Sequence, residues 1–106
     1  MKTNIPESYG EGVFVSEEIE VYFSQKPGPP SSFKWRGKEF KIVKCKFLGR
    51  KLDFGKRWWQ RHHKDYYIVE DDNHNIFQIY YNRGPRRRYW VLLKIIRATQ
   101  EDLIIR

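Results

Sequence analysis

Four pairs of adjacent aromatic residues are the side chains in this sequence best suited to ligand binding. They are Trp58-Trp59, Tyr66-Tyr67, Tyr80-Tyr81 and Tyr89-Trp90. Aromatic rings stack on nucleic-acid bases of any sequence, typically for ~1 to 3 kcal/mol per base. Successive side chains of a β-strand point to opposite faces, so each pair within a strand should direct one ring inward and one outward. The outward rings form either a stacking platform for bases or a second packed face that the N-terminal segment covers.

Two basic stretches accompany these aromatic pairs, and both could bind phosphate groups. Arginine has a planar guanidinium group that matches two phosphate oxygens at once, although loops of this composition are ordinarily only solvated. One stretch contains Lys51, Lys56, Arg57, Arg61 and Lys64, and the other contains Arg83, Arg86, Arg87 and Arg88. The candidate nucleic-acid-binding residues are therefore Lys56, Arg57, Trp58, Trp59, Arg61, Lys64, Arg83, Arg86, Arg87, Arg88 and Trp90.

The net charge also favours a polyanionic partner. The 106 residues carry 21 Lys and Arg and 13 Asp and Glu, for a net charge of +8. Residues 1–32 hold two Lys and five Glu, whereas residues 33–106 hold 19 Lys and Arg against 8 Asp and Glu. A small domain with this field attracts polyanions, of which nucleic acid is the commonest in a cell, although charge also serves solubility.

Metal-ligand spacing is poor in this sequence. Adjacent His62 and His63 would point apart in an extended segment, His74 is isolated, and Cys45 has no second cysteine beside it. We therefore expect no metal site and no cofactor.

Catalytic motifs are equally sparse. The sequence has no Gly-x-Ser-x-Gly, no Gly-rich phosphate loop and no His-Glu-x-x-His, so we expect no catalytic residue and no enzymatic activity. Carboxylates near the basic stretches could still hold magnesium for a small nuclease, and this alternative rests on Asp53, Asp65 and Asp72.

Alternating hydrophobic residues predict a mostly β fold. Five to six short strands in about 100 residues indicate a small closed barrel or a strongly curled antiparallel sheet, since such sheets remove exposed edges by closing. A short helical turn could follow Thr99. The predicted strands cover residues 13–23 (interrupted near Ser16), 39–48, 66–70, 75–81 and 88–97.

The connections between these strands carry turn-forming residues. Residues 26–32 contain three prolines, which lack the N–H donor of a sheet ladder, so they are predicted to link an acidic N-terminal segment (1–32) to a basic β domain (33–106). We expect the two parts to form one structural domain. Residues 35–38 predict a tight turn, and residues 71–74 predict a hairpin.

Strand parity gives two more specific expectations. Val43, Cys45 and Phe47 alternate with lysines, so they should face the core, which would make Cys45 buried and inert. If Val91 and the residues of its parity face the core, Tyr89 is the inner member of its pair and Trp90 the outer.

The chain has features of a cytoplasmic protein. Its first residues lack the apolar segment of a secretory signal, and its single cysteine forms no internal disulfide. The longest apolar run, residues 89–93, is far shorter than the ~20 residues of a spanning helix, so we expect no membrane partner.

A series of aromatic and Pro-rich motifs follows a fixed order along the chain. The motifs are Val21-Tyr22-Phe23, Pro27 to Pro30, Phe33 to Gly37 with Phe40, Trp58-Trp59, Tyr66-Tyr67, Phe77 to Tyr81 and Tyr89-Trp90. Their order resembles a bacterial family of small uncharacterised domains, found alone or associated with Y-family damage-tolerance DNA polymerases. The resemblance covers roughly residues 20 to 97. It implies a link to DNA repair or mutagenesis, DNA rather than RNA as the target, and a Y-family polymerase as a partner, without an established activity.

Three functions are therefore weighed. The first is a non-enzymatic nucleic-acid-binding accessory domain, which the basic body and the aromatic pairs favour. The second is a protein-interaction module that docks on a polymerase or repair factor through its outward rings. The third is the metal-dependent nuclease.

Overall fold

The computed structural model describes residues 12–52, 63–84 and 87–99, and these residues form six β-strands. Each strand pairs antiparallel with the next, and β6 pairs with β1 to close a barrel, which confirms the predicted fold class. No helix long and apolar enough to cross a membrane occurs in these three ranges. The strands are β1 (Val13–Tyr22), β2 (Ser32–Trp35), β3 (Lys38–Leu52), β4 (His63–Asp71), β5 (Ile76–Asn82) and β6 (Tyr89–Arg97).

The first strand is interrupted where the sequence predicts it. Ser16 has a positive φ of 54°, and the register between β1 and β6 shifts between Phe14 and Glu17. A bulge of this kind bends a strand and increases its twist, which helps a small sheet to close. Because β1 pairs with both β2 and β6, residues 13–22 of the acidic N-terminal segment form part of the barrel wall.

The connection after β1 is shorter than predicted. Ser32 belongs to β2 and pairs with both Tyr22 and Lys41, and the backbone N–H of Ser31 donates to Tyr22 O at 2.8 Å. The expectation that all of residues 26–32 lie outside the ladder is therefore wrong at the two serines. Unlike the prolines before them, these residues keep the N–H that a ladder needs.

The turn between β2 and β3 has the geometry of a tight hairpin. Arg36 and Gly37 have φ values of 53° and 77°, and the flanking Trp35 and Lys38 are paired. Positive φ at both central residues is the mark of a type I′ turn, whose twist matches that of the two strands. The predicted turn is confirmed.

The hairpin between β4 and β5 is also confirmed, and a buried carboxylate organises its turn. Asp71 is 1% exposed and accepts hydrogen bonds from the backbone N–H of Asn73 and of Asn75 at 3.0 and 2.8 Å. Asn75 Oδ1 accepts in turn from Thr99 N at 2.6 Å, which fastens the end of β6 to this turn. The helical turn predicted after Thr99 lies outside the described residues.

Aromatic and branched side chains from all six strands fill the barrel. Phe33, which is fully buried, lies 5.0 Å from the ring of Phe40 and 5.1 Å from the ring of Phe77. Ring pairs at this separation contribute about 0.5 to 1.5 kcal/mol beyond their buried area. The buried core residues are Ile19, Phe33, Trp35, Phe40, Val69, Phe77, Ile79, Leu92 and Ile95.

Strand β3 departs from simple alternation at two places. Its register with β4 shifts between Ile42 and Lys44 and again after Phe47. The expectation that three alternating residues of β3 all face the core is wrong for Val43, which is 52% exposed, because the first bulge reverses the parity there. Phe47 keeps the inner side but is 54% exposed, so it is not a core residue either. Cys45 is half-buried and packs against the core.

Candidate nucleic-acid interface

The strand order places the ends of all six strands that flank the three longer connections at one end of the barrel, which we call the loop end. These strand ends are Tyr22 and Ser32, Leu52 and His63, and Asn82 and Tyr89. The two tight turns lie at the opposite end. Of the two basic stretches predicted from the sequence, Lys51 and Lys64 lie in β3 and β4 next to the loop end, and Arg83, Arg87 and Arg88 lie between β5 and β6.

A chain of ring contacts occupies the barrel interior at the loop end. Trp90 lies at its centre, with ring centroids 4.9 Å from Tyr81, 5.5 Å from Tyr67 and 6.2 Å from Phe23. Phe47 extends the chain, 5.3 Å from Tyr67. We call these five residues the mouth cluster. None of them is fully buried, and Phe47 is 54% exposed, so the cluster offers ring surface to solvent.

Pairing register explains why these rings meet. Tyr81 is paired directly with Trp90 across β5 and β6, and Phe47 is paired directly with Tyr67 across β3 and β4. Residues directly opposite in antiparallel strands place their side chains on the same face, within reach of aromatic contact. Tyr67 and Trp90 both pack against the core, which identifies that face as the inner one.

The predicted orientation of Tyr89 and Trp90 is wrong. Lys94 is paired with Gln78 and Leu92 with Ile79, so an extra residue of β6 stands between them as a bulge. The bulge shifts the parity, and Trp90 shares the inward side of Leu92. Trp90 therefore belongs to the mouth cluster rather than to an outer platform.

Each aromatic pair in the described strands has one outer member, as predicted from strand geometry. Tyr66 and Tyr80 form an outer contact with ring centroids 5.2 Å apart, and Lys64 Nζ lies 5.2 Å from the Tyr80 ring centroid. Tyr80 is only 9% exposed, however. Tyr89 is half-buried, with its hydroxyl accepting from Asn82 Nδ2 at 3.1 Å. The outer rings of these three pairs therefore do not form an open platform.

A buried carboxylate joins two arginines at the edge of the mouth cluster. Asp65 is 4% exposed and accepts from Arg50 Nε at 2.7 Å and from Arg83 Nη1 at 3.3 Å. The hydrogen bond to Asp65 raises the pKa of Arg50 above its ordinary value. The trio keeps a net charge of +1 beside Tyr67, whose pKa is raised by burial and then by the negative charge of Asp65.

Three further cations lie at the loop end, and they differ in their contacts. Lys26 Nζ lies 5.0 Å from the ring centroid of Phe23. Arg87 forms an ion pair with Glu18 on β1, and its guanidinium carbon also lies 5.0 Å from the ring centroid of Tyr89. Arg88 is exposed. We call Lys26, Arg50, Arg83, Arg87 and Arg88 the cationic rim.

The structure locates part of the predicted site. Lys64, Arg83, Arg87, Arg88 and Trp90 all lie at or next to the loop end. Phe23, Phe47, Tyr81 and Arg50 were not predicted as site residues, since no local pattern shows which rings share the barrel interior. Lys56, Arg57, Trp58, Trp59, Arg61 and Arg86 lie outside the described residues.

The carboxylates considered for a nuclease do not come together in the described ranges. Asp65 is held by two arginines near the start of β4, whereas Asp72 follows the other end of that strand, roughly 23 Å away at the usual rise per residue. Within those ranges, no three His, Cys, Asp or Glu side chains are grouped closely enough to hold a metal ion. Asp53 and His62 lie outside them.

The fold and the mouth cluster define a small, closed, six-stranded antiparallel β-barrel domain. A sequence model described as "Domain of unknown function (DUF6504)" matches residues 7–97. The chain belongs to this family. Neither the curated proteins nor the solved structures contain a match.

Proposed function

We propose that this protein is a cytoplasmic, non-enzymatic accessory domain that binds nucleic acid at the loop end of its barrel. The observation that carries the proposal is the mouth cluster, a connected set of partly exposed rings with the cationic rim beside it. Surfaces that bind nucleic acid without sequence preference combine aromatic rings, which stack on bases, with cations, which bind phosphate groups.

The mouth cluster supplies the stacking component. Phe47 has the most exposed ring of the five and lies at one end of the chain of contacts, with Phe23 at another. An exposed aromatic ring in water gains free energy when a base covers it, about 1 to 3 kcal/mol per base. A base seated on Phe47 would extend the chain of ring contacts that already leads to Tyr67.

The cationic rim supplies the phosphate component. Arg50 and Arg83 share a single carboxylate, so a second anion is needed to neutralise the trio. Asp65 also holds both guanidinium groups in place before a ligand arrives, which lowers the ordering cost of binding. Arg88 and Lys26 are exposed and add two further cations at the loop end.

The resemblance described above gives this proposal its setting. The resemblance implies an association with Y-family damage-tolerance polymerases, so we propose DNA rather than RNA as the ligand and a role in DNA repair or mutagenesis. A Y-family polymerase is then the expected protein partner. Co-purification of the two proteins from the native cell tests this part separately from DNA binding.

Anisotropy titration with fluorescent oligonucleotides tests the DNA-binding proposal. If about four to five phosphates are neutralised, the log-log salt slope should be near −3 on single strands and near −4 on duplex, a ~100-fold loss of affinity between 50 and 200 mM salt. A flat salt response, or no binding below ~100 μM at low salt, would contradict the proposal.

A matched pair of alanine variants locates the interface. Phe47→Ala removes the exposed ring of the mouth cluster and should weaken single-strand affinity about 5- to 150-fold, equivalent to about 1 to 3 kcal/mol. Phe14→Ala removes a ring that is 66% exposed near the opposite end of β1 and should leave affinity unchanged. Equal effects of the two variants would show that binding does not use the mouth cluster.

A further inference from the structure

Strand β3 is much longer than its neighbour β2, so part of its edge has no ladder partner within the described ranges. β2 pairs with residues Lys38 to Lys41 of β3, and Ile42 N donates to Ser31 O at 2.9 Å just beyond that ladder. From Val43 onward, β3 pairs with β4 on one side, and the described ranges supply no ladder partner on the other. We call residues 43–50 of this strand the free β3 edge.

Hydrogen bonds around the β4–β5 turn show which backbone groups of β4 face β3. Asp71 N donates to Asn75 O at 3.0 Å, so Asp71 faces β5. Asp72 N donates to Lys41 O at 3.1 Å, so Asp72 faces β3. Backbone groups of successive residues in an antiparallel strand point to alternate sides. The even-numbered residues of β4 therefore bond to β3, and the odd-numbered residues bond to β5.

The same alternation identifies the unpaired groups of β3. Lys44 and Lys46 are paired with the even-numbered residues Glu70 and Ile68, so their N–H and C=O groups belong to the β3–β4 ladder. Cys45 and Phe47 are paired with odd-numbered residues of β4, so their backbone groups point to the free β3 edge. An extended chain at this edge would find regularly spaced donors and acceptors ready to form a new ladder.

The side chains at the free β3 edge define what chain it would accept. Lys44 and Lys46 are exposed on the outer face, and the Lys44 side chain is 79% exposed with only a 4.0 Å contact to Glu70. Val43 and Phe47 add exposed apolar surface at the same edge. A strand with acidic side chains on one face and apolar side chains on the other complements this combination.

We propose that the free β3 edge binds an extended acidic segment of a partner protein as an additional strand. Main-chain hydrogen bonds to Cys45 and Phe47 supply affinity, and acidic side chains opposite Lys44 and Lys46 supply specificity. This interaction uses the backbone of Cys45 and Phe47 and the lysines of the outer face, so it does not rest on the proposed nucleic-acid binding, although it shares Phe47 with the mouth cluster.

Charge argues for an acidic partner rather than a second copy of this chain. Pairing of two β3 edges would place the lysines of one copy beside the lysines of the other, and like charges across a ladder are destabilising. Exposed lysines are a common device against edge-to-edge aggregation. Here the same lysines would both prevent self-association and select an acidic strand.

Amide hydrogen exchange on the full-length protein tests the proposal. The probe is a capped hexapeptide of alternating glutamate and valine. At a peptide concentration about ten times its dissociation constant, exchange of the Cys45 and Phe47 amides should slow roughly tenfold. The amides of Lys44 and Lys46 already donate to β4, so their exchange should not change. Unchanged exchange at Cys45 and Phe47 with saturating peptide would overturn the proposal.

Charge reversal with a matched control separates this edge from the general basic surface. Lys46→Glu should weaken peptide binding at least tenfold, whereas Lys34→Glu, an exposed position on a strand paired on both sides, should leave it unchanged. Equal protection by a lysine–valine peptide would reject acidic selection. If exchange of the Cys45 and Phe47 amides slows as protein concentration rises without peptide, and sedimentation shows dimers, the edge binds a second copy of this chain instead.

Discussion

Arg50 Nε donates to Asp65 Oδ1 at 2.7 Å, directly across the β3–β4 ladder, and places an exposed cation on a buried carboxylate. The acceptor is 4% exposed, so it cannot be solvated freely if the arginine leaves. An unpaired buried charge costs much more than a surface pair gains, which keeps Arg50 in place. The rim at the mouth is therefore positioned by the fold before any ligand binds.

Asp65→Asn should lower the pKa of Tyr67. Burial raises this pKa first, and the negative charge of Asp65 raises it further by disfavouring the phenolate. The amide removes the second contribution and keeps the first, so the pKa should fall but stay above the ordinary tyrosine value. NMR titration of the Tyr67 ring measures this shift. Asp72→Asn, in the exposed β4–β5 turn, should leave it unchanged.

Trp90→Ala should destabilise the protein by about 3 kcal/mol, because the indole contacts three rings and packs on the core. Tyr89→Ala should cost only about 1 kcal/mol, mainly through the hydrogen bond from Asn82. Urea denaturation of both variants gives the two values. A larger loss for Tyr89→Ala would show that the β6 bulge is misplaced.

Cys45 should react slowly with a thiol reagent at neutral pH. Burial raises the pKa of the Cys45 thiol, so less of the reactive thiolate is present than in an unfolded chain.

A raised folded-state pKa contributes stability below the unfolded pKa of about 8.5, and that contribution is lost as pH rises through the folded value. Cys45→Ala should therefore reduce the alkaline loss of stability. Labelling at the unfolded rate, measured beside a sample in denaturant, would contradict the assignment.

Asn75→Ala should destabilise the barrel by about 2 to 4 kcal/mol, because its side chain links the buried Asp71 carboxylate to Thr99. Asn73 lies in the same turn, and its backbone N–H and C=O form the hydrogen bonds to Asp71 and Thr99. The free energy of unfolding of Asn73→Ala should therefore stay within about 0.5 kcal/mol of the wild-type value. Thermal unfolding of the two variants compares them directly.

Much of the fold could be predicted from the sequence because hydrophobic alternation and turn residues are local signals. The break near Ser16, the turn at Arg36–Gly37 and the hairpin after Asp71 all follow from residue types within a few positions. The two bulges of β3 and the β6 bulge between Leu92 and Lys94 could not be predicted, since one extra residue depends on pairing with a distant strand.

The candidate site could be predicted only in part for the same reason. Basic residues at the loop end are visible as clusters in the sequence, but Phe23, Phe47 and Tyr81 come from three different strands or their ends. Their contact depends on barrel closure and on register, which no local pattern contains. Each error in assigning an inner or outer ring follows from a single unrecognised bulge.

The pairing of β1 with β6 also has a consequence for synthesis on the ribosome. Val13 is opposite Ile95, so the strand made first must wait for the strand made last. At the usual elongation rate of 5–20 residues per second, the interval is roughly 4 to 16 s. During that time β1 displays Val13, Val15, Ile19 and Val21 without its β6 partner, which makes the nascent chain a natural client for a chaperone that holds extended apolar segments.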